Sequence, residues 1–171
     1  MRVLLMSDRF VMKVADIDLV STNDAYIPTY KGKRSFYRRS KELIKFQEDF
    51  STKLLEYKEP LQMFVEQNKS EIFYFGLILK LILILPRDVF FYKRKTDDLR
   101  PQDTSNFIKA IEDQVSKVLG IDDKYNVQVS AVKCYEDEIQ KPTVYMILEC
   151  ANYMDYRASK ILEYYNLGDA E

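Results

Sequence analysis

The residues able to do chemistry concentrate in one stretch, Leu99–Val129, which reads LRPQDTSNFIKAIEDQVSKVLGIDDKYNVQV. Asp103, Ser105 and Asn106 stand at the expected start of a helix, where free N–H groups and the helix dipole attract phosphate. Ser105 and Lys109 are one i, i+4 step apart, so a hydroxyl and an ammonium share a helical face. Two acids, Asp122 and Asp123, follow that helix and precede the next apolar run. If the two acidic groups meet, they form a hard oxygen site suited to Mg²⁺ or Mn²⁺. Such an ion polarises a phosphodiester, and a nearby lysine neutralises charge in the transition state. Each residue also has a plainer reading. Asp103 suits a helix N-cap, Asp122–Asp123 an ordinary turn, and Lys109 a surface pair with Glu112 or Asp113, while Ser105 and Asn106 can simply sit in the first helical turn.

Several elements must position these groups. Arg9–Val20 alternates apolar and polar residues and is expected to be a first strand. Ser21–Arg39 reads as a polar loop with Asn23, Pro28 and Gly32. Ser40 is a candidate N-cap, after which Leu43, Phe46, Phe50, Leu54 and Tyr57 recur at helical spacing. Pro60 opens a second short helix through Val65. Ile72–Leu85 is almost wholly apolar and reads as a strand covered on both faces. Arg87–Gln102 reads as a long loop, and Asp103–Leu119 as a helix stopped by Gly120, with Phe107, Ile108, Ile111, Val115, Val118 and Leu119 as its apolar side. Val127–Tyr135 and Thr143–Cys150 are expected to form a hairpin across an acidic connection, and Asp155–Asn166 a C-terminal helix. The order β-α-β-α-β-β-α is that of a small two-layer α/β (α+β) domain with a mixed sheet of about four strands.

Composition narrows the chemistry further. The chain has 171 residues, no His and no Trp, and only Cys134 and Cys150. That excludes Ser-His-Asp and Cys-His nucleophiles and His-ligated zinc. Four Gly in the whole chain exclude a Gly-rich phosphate loop. The apolar run Leu77–Leu85 contains Lys80 and is too short to span a bilayer, and no signal peptide is visible, so a cytoplasmic protein without a membrane partner is expected. Residues 31–45 carry a net charge of +6, leaving −7 for the rest. Lys31, Lys33, Arg34, Arg38 and Arg39, with Lys93, Arg94 and Lys95 beyond them, are candidate contacts to a polyanion, or a solvated basic face. Tyr37, Phe91 and Tyr92 lie among these cations and suit either base stacking or core packing.

The arrangement resembles the signature of the RusA-type Holliday-junction resolvases. In that family D-x-D-N-x-x-K opens a helix and a D-D pair stands before the next strand. Here the string is Asp103-Thr104-Ser105-Asn106-Phe107-Ile108-Lys109, followed by Asp122-Asp123. Ser21-Thr22-Asn23 resembles the family's S-x-N segment. The similarity covers roughly residues 9–150, so the expectation is a single nuclease domain over 1–171 with residues 152–171 as a C-terminal helical extension. The resemblance implies a Mg²⁺-dependent (or Mn²⁺-dependent) homodimeric endonuclease cutting four-way DNA junctions, of phage or prophage type, in a bacterial or phage-infected cell. It implies Asp103 and Asp123 as metal ligands, Lys109 as the catalytic lysine, and Asp122 in support.

Ser105 departs from the pattern, because it stands where the family has a second acid. A hydroxyl ligates Mg²⁺ without contributing charge, so metal affinity falls unless Asp97, Asp98, Glu112, Asp113 or Asp122 compensates. The alternatives are a weakened or inactive junction-binding protein on the same fold, and an interaction protein with no nucleic-acid role.

Overall fold

The computed structural model describes residues 4–6, 9–20, 26–31, 34–92, 95–99 and 105–151. Its main sheet is built from β1 (Leu4–Met6), β2 (Arg9–Val14), β5 (Leu77–Pro86), β8 (Asn126–Glu136) and β9 (Thr143–Cys150). Their spatial order is β1-β2-β9-β5-β8. The sheet is mixed: β5 pairs parallel with β8 and antiparallel with β9. The expected mixed α+β layout is present, with four long strands and a three-residue edge strand.

Helix α1 (Lys41–Leu55) begins as its sequence requires. The Ser40 side chain accepts a hydrogen bond from the Leu43 N–H at 3.0 Å, satisfying one of the free donors of the first turn. Leu43, Phe46, Phe50 and Leu54 form its buried stripe, and each contributes about 1.5–3 kcal/mol by leaving water. They pack with Phe10, Met12 and Val14 of β2 and with Phe107, Ile111 and Val115 of α5 (Ser105–Leu119). The Ser51 hydroxyl donates to the buried Gln114 side chain at 2.9 Å, tying α1 to α5 through a satisfied polar contact. Short helices α2 (Lys58–Gln67) and α3 (Lys69–Phe75) add Leu61, Phe64 and Ile72 to the same core.

Several expectations are corrected. The strand expected over Ile72–Leu85 starts at Leu77, because Ile72 belongs to α3 and Gly76 ends that helix. The first strand stops at Val14, since Asp16 takes a positive φ of 55° and breaks the ladder. Most of the expected polar loop Ser21–Arg39 is a two-stranded ribbon, β3 (Tyr26–Lys31) with β4 (Arg34–Arg39). The expected loop Arg87–Gln102 holds α4 (Arg87–Phe90) and the pair β6 (Phe91–Tyr92) with β7 (Lys95–Leu99). Strands β8 and β9 do not form a hairpin, because β5 lies between them. β5 is the most apolar strand and takes an interior position between β9 and β8, while the less buried β8 takes the edge. Crossing one intervening strand requires about 10 Å, well within reach of the connecting residues 137–142. The expected helix Asp155–Asn166 lies outside the described residues.

Gly76 shows how closely the layers meet. Its φ of 92° and ψ of −176° suit glycine almost alone. A Cβ there would fall on a Val127 methyl and lie 2.8 Å from the Tyr125 carbonyl oxygen. Gly120 also has a positive φ, 68°, but faces open space. Gly76→Ala is therefore expected to cost more than about 2 kcal/mol, from strain plus overlap, and Gly120→Ala only about 1 kcal/mol. Urea midpoints of the two variants check this, and equal losses would contradict the close approach at Gly76.

Candidate active site

Helix α5 and the turn after it build the site. Gly120 ends the helix, and the Ile121 N–H reaches back to the Ser116 carbonyl at 3.1 Å. Ile121 is buried and anchors the returning chain. Asp123–Tyr125 then forms one 3₁₀ turn before β8, capped by Asp122, whose Oδ1 accepts from the Lys124 N–H at 3.0 Å. The Tyr125 ring meets the edge of Phe73 with centroids 4.9 Å apart, holding the turn against α3.

This return path brings Asp123 alongside the flank of α5. Its Oδ2 accepts from the Lys109 ammonium at 2.7 Å. Asp113 Oδ1 lies 3.0 Å from the same nitrogen and Glu112 Oε2 lies 3.6 Å from it. The Asn126 amide donates to Glu112 Oε1 at 2.9 Å and fixes that carboxylate. Three carboxylates thus surround one ammonium. The hydrogen bond from Lys109 holds the Asp123 carboxyl below the usual carboxylate range. Hydrogen bonds to Asp123 and then Asp113 push the Lys109 ammonium above its ordinary value, against a smaller opposing effect of burial. Lys109 and Asp123 are each about half exposed, so solvent screens the pair.

An open groove of about 700 Å³ runs beside the cluster, lined by Asp113, Lys117, Asp122 and Asp123 together with Arg39 and Gln47. Arg39 donates to Gln47 at 3.2 Å, which seats the base of the β3–β4 ribbon on α1. Its lining therefore sets three carboxylates beside two cations, Arg39 and Lys117.

Of the residues singled out in the sequence, Lys109 and Asp123 are brought together, and Asp122 turns its carboxylate to Lys124. Ser105 begins α5. Arg38 and Arg39 are exposed on β4, Lys31 pairs with Arg34 in backbone register, and Lys95 begins β7. Phe91 packs against Phe90 and Tyr135, which is the packing alternative. Asp103, Lys33, Lys93 and Arg94, and the Ser21-Thr22-Asn23 segment, lie outside the described residues. Among the described residues no group of three or more acidic or thiol side chains converges as a metal cage. The donors that do gather are hard oxygens, the chemistry that suits Mg²⁺ or Mn²⁺. The contacts of Gln47 and Asn126 carry no sequence signal, because no spacing rule links them to the site. Glu112 and Asp113 are legible as the i+3 and i+4 neighbours of Lys109.

A small α+β domain that sets carboxylates and cations along an open groove, beside a lysine–carboxylate cluster, is of the kind that handles phosphodiesters. The family described as Endodeoxyribonuclease RusA matches residues 25–147, and the chain belongs to this family. Membership implies an endodeoxyribonuclease that resolves Holliday junctions in DNA recombination. No curated protein matches the chain. Among the described residues no helix is long and apolar enough to cross a membrane.

The pair has a defined pH window. A lowered carboxyl value favours the fold above the ordinary Asp value of 3.8, and this contribution is lost as pH falls through the lowered value. The raised Lys109 value keeps its contribution below 10.5 and loses it only as pH rises through the higher value. Replacing Lys109 by Met should therefore move the Asp123 carboxyl titration upward, followed by carbon-detected NMR. An unchanged midpoint would contradict the contact.

Proposed function

We propose that the chain is a divalent-metal-dependent, structure-selective endodeoxyribonuclease that resolves four-way junctions as a homodimer, of phage or prophage type. The observation that carries this reading is the 2.7 Å contact between Lys109 and Asp123, made across the helix-to-strand return inside the family-matched segment. Two coordinated cuts on a two-fold junction need two sites in fixed relation, which a closed two-fold dimer supplies.

Asp103 and Asp123 would hold Mg²⁺ (or Mn²⁺), with Ser105 and Asp122 in support. The ion, when bound, supplies polarisation of the phosphodiester and offsets charge on the leaving oxygen. The chain's own groups do the rest. The carboxylates beside Lys109 keep it protonated, so it enters the reaction as a cation. Its half-exposed ammonium can exchange a carboxylate partner for a phosphate oxygen and donate to it as charge develops. Asp122 shapes the turn that presents Asp123. Glu112 and Asp113 supply the negative charge that Ser105 does not. Lys31, Lys33, Arg34, Arg38 and Arg39, with Lys93, Arg94 and Lys95, attract the phosphates of the arms.

Asp123→Asn and Asp103→Asn should abolish Mg²⁺-dependent nicking of a synthetic four-way junction while keeping or raising its affinity, because less negative charge opposes the phosphate. Ser105→Asp should lower the Mg²⁺ concentration needed. Undiminished nicking by Asp123→Asn would remove that residue from the site. Binding without nicking by the unaltered chain would favour the junction-binding alternative raised by Ser105.

Electrostatic binding also fixes a salt dependence. Replacing Arg38 and Arg39 by Ala should flatten the slope of log affinity against log salt by up to about 1.8, roughly 0.9 for each phosphate no longer neutralised. Titrations at several salt concentrations read this directly, and an unchanged slope would take both arginines out of the interface.

A further inference from the structure

The β3–β4 ribbon is a two-stranded sheet of its own, separate from the main sheet. Its register sets Pro28 opposite Tyr37 and Tyr30 opposite Ser35. Positions 28 and 30 share a face of β3, and cross-strand partners share a face, so Tyr30 and Tyr37 are diagonal neighbours on one side of the ribbon. Both are largely exposed, at 75% and 73%. From Tyr26 to Arg39 the chain carries five cations and no acid. The foot of the ribbon is Arg39, which lines the groove beside Asp123. An isolated two-stranded ribbon is marginal in water, and large rings left open on a highly cationic one suit a polyanion that also offers flat apolar surfaces.

We propose that the β3–β4 ribbon is a DNA-entering arm, with Tyr30 and Tyr37 stacking on bases laid open at the branch point while its cations hold the adjoining phosphates. This rests on the junction-binding reading above and adds the element that recognises the branch. The geometry suits it. The four residue steps from Ser35, opposite Tyr30, to Arg39 span about 14 Å, roughly four base-pair steps, so the aromatic face and the groove engage one continuous stretch of DNA strand. Stacking requires unpaired or unstacked bases, which a continuous duplex does not present, so the rings favour branched over linear DNA.

The chain contains no Trp, so Tyr37→Trp places a single fluorophore on the arm and keeps an aromatic face for stacking. Binding of the unaltered chain to a four-way junction is read first by mobility shift. No binding there overturns the junction reading and the arm with it. With binding established, emission from the Tyr37→Trp variant should be quenched by the junction and little changed by linear duplex of equal length. The Tyr30→Ala/Tyr37→Ala double variant should lose about tenfold or more in junction affinity, while its duplex affinity changes by less than about twofold. The Tyr30→Phe/Tyr37→Phe variant should retain junction affinity. An unquenched fluorophore in a bound complex, or equal losses on junction and duplex, overturns the arm alone and leaves the nuclease reading standing.

Discussion

The parallel pairing of β5 with β8 is the constraint on which the site depends. Ten positions of β5 find partners on β8, from Leu77 with Asn126 to Pro86 with Glu136. Parallel strands cannot be joined by a tight turn, so the chain must cross back over the sheet, and α5 is the crossover. The segment leaving α5 is then forced to re-enter at the start of β5, where Gly76 leaves room for Tyr125 and Val127. Asp123 travels with that segment and arrives beside Lys109. The contact between Lys109 and Asp123 follows from how a parallel pair must be connected.

Charges of both signs meet at the site. Lys109 sits among Asp123, Asp113 and Glu112, so the interior of the site is net negative and receptive to cations. Arg39, at the end of the ribbon, adds a positive charge to the lining of the neighbouring groove. Carboxylates repel a phosphate and cations attract it, so the two kinds of group act oppositely on an anion near the groove. Ser105 removes one charge from the motif, and the carboxylates of the next helical turn restore negative charge nearby, as the i+3 and i+4 neighbours of Lys109.

Local signals are legible where one element decides its own shape. Ser40 caps the helix that its side chain announces, and Leu43, Phe46, Phe50 and Leu54 form its buried face. Thr143–Cys150 is a strand with the expected bounds. The ribbon Tyr26–Arg39 escapes sequence reasoning because its polar and basic residues show no apolar alternation, so cross-strand hydrogen bonds rather than burial define it. The expected β8–β9 hairpin fails because two strands close in sequence need not be neighbours when a more apolar strand, β5, takes the interior position between them.

The sequence by itself determined the kind of chemistry available. Without His, and with Asp, Lys and Ser gathered in one stretch, only hard-oxygen and ammonium chemistry remains, and side-chain identity settles that before any folding. The spacing of Lys109, Glu112 and Asp113 also placed them on one helical flank, because the helical period is local. Only the tertiary structure decided that Asp123 joins them while Asp122 caps the turn. Adjacent residues in a turn point in different directions, and which one faces the helix depends on the register at which β8 meets β5. That register is set by burial across the whole sheet, at distances no local pattern can report.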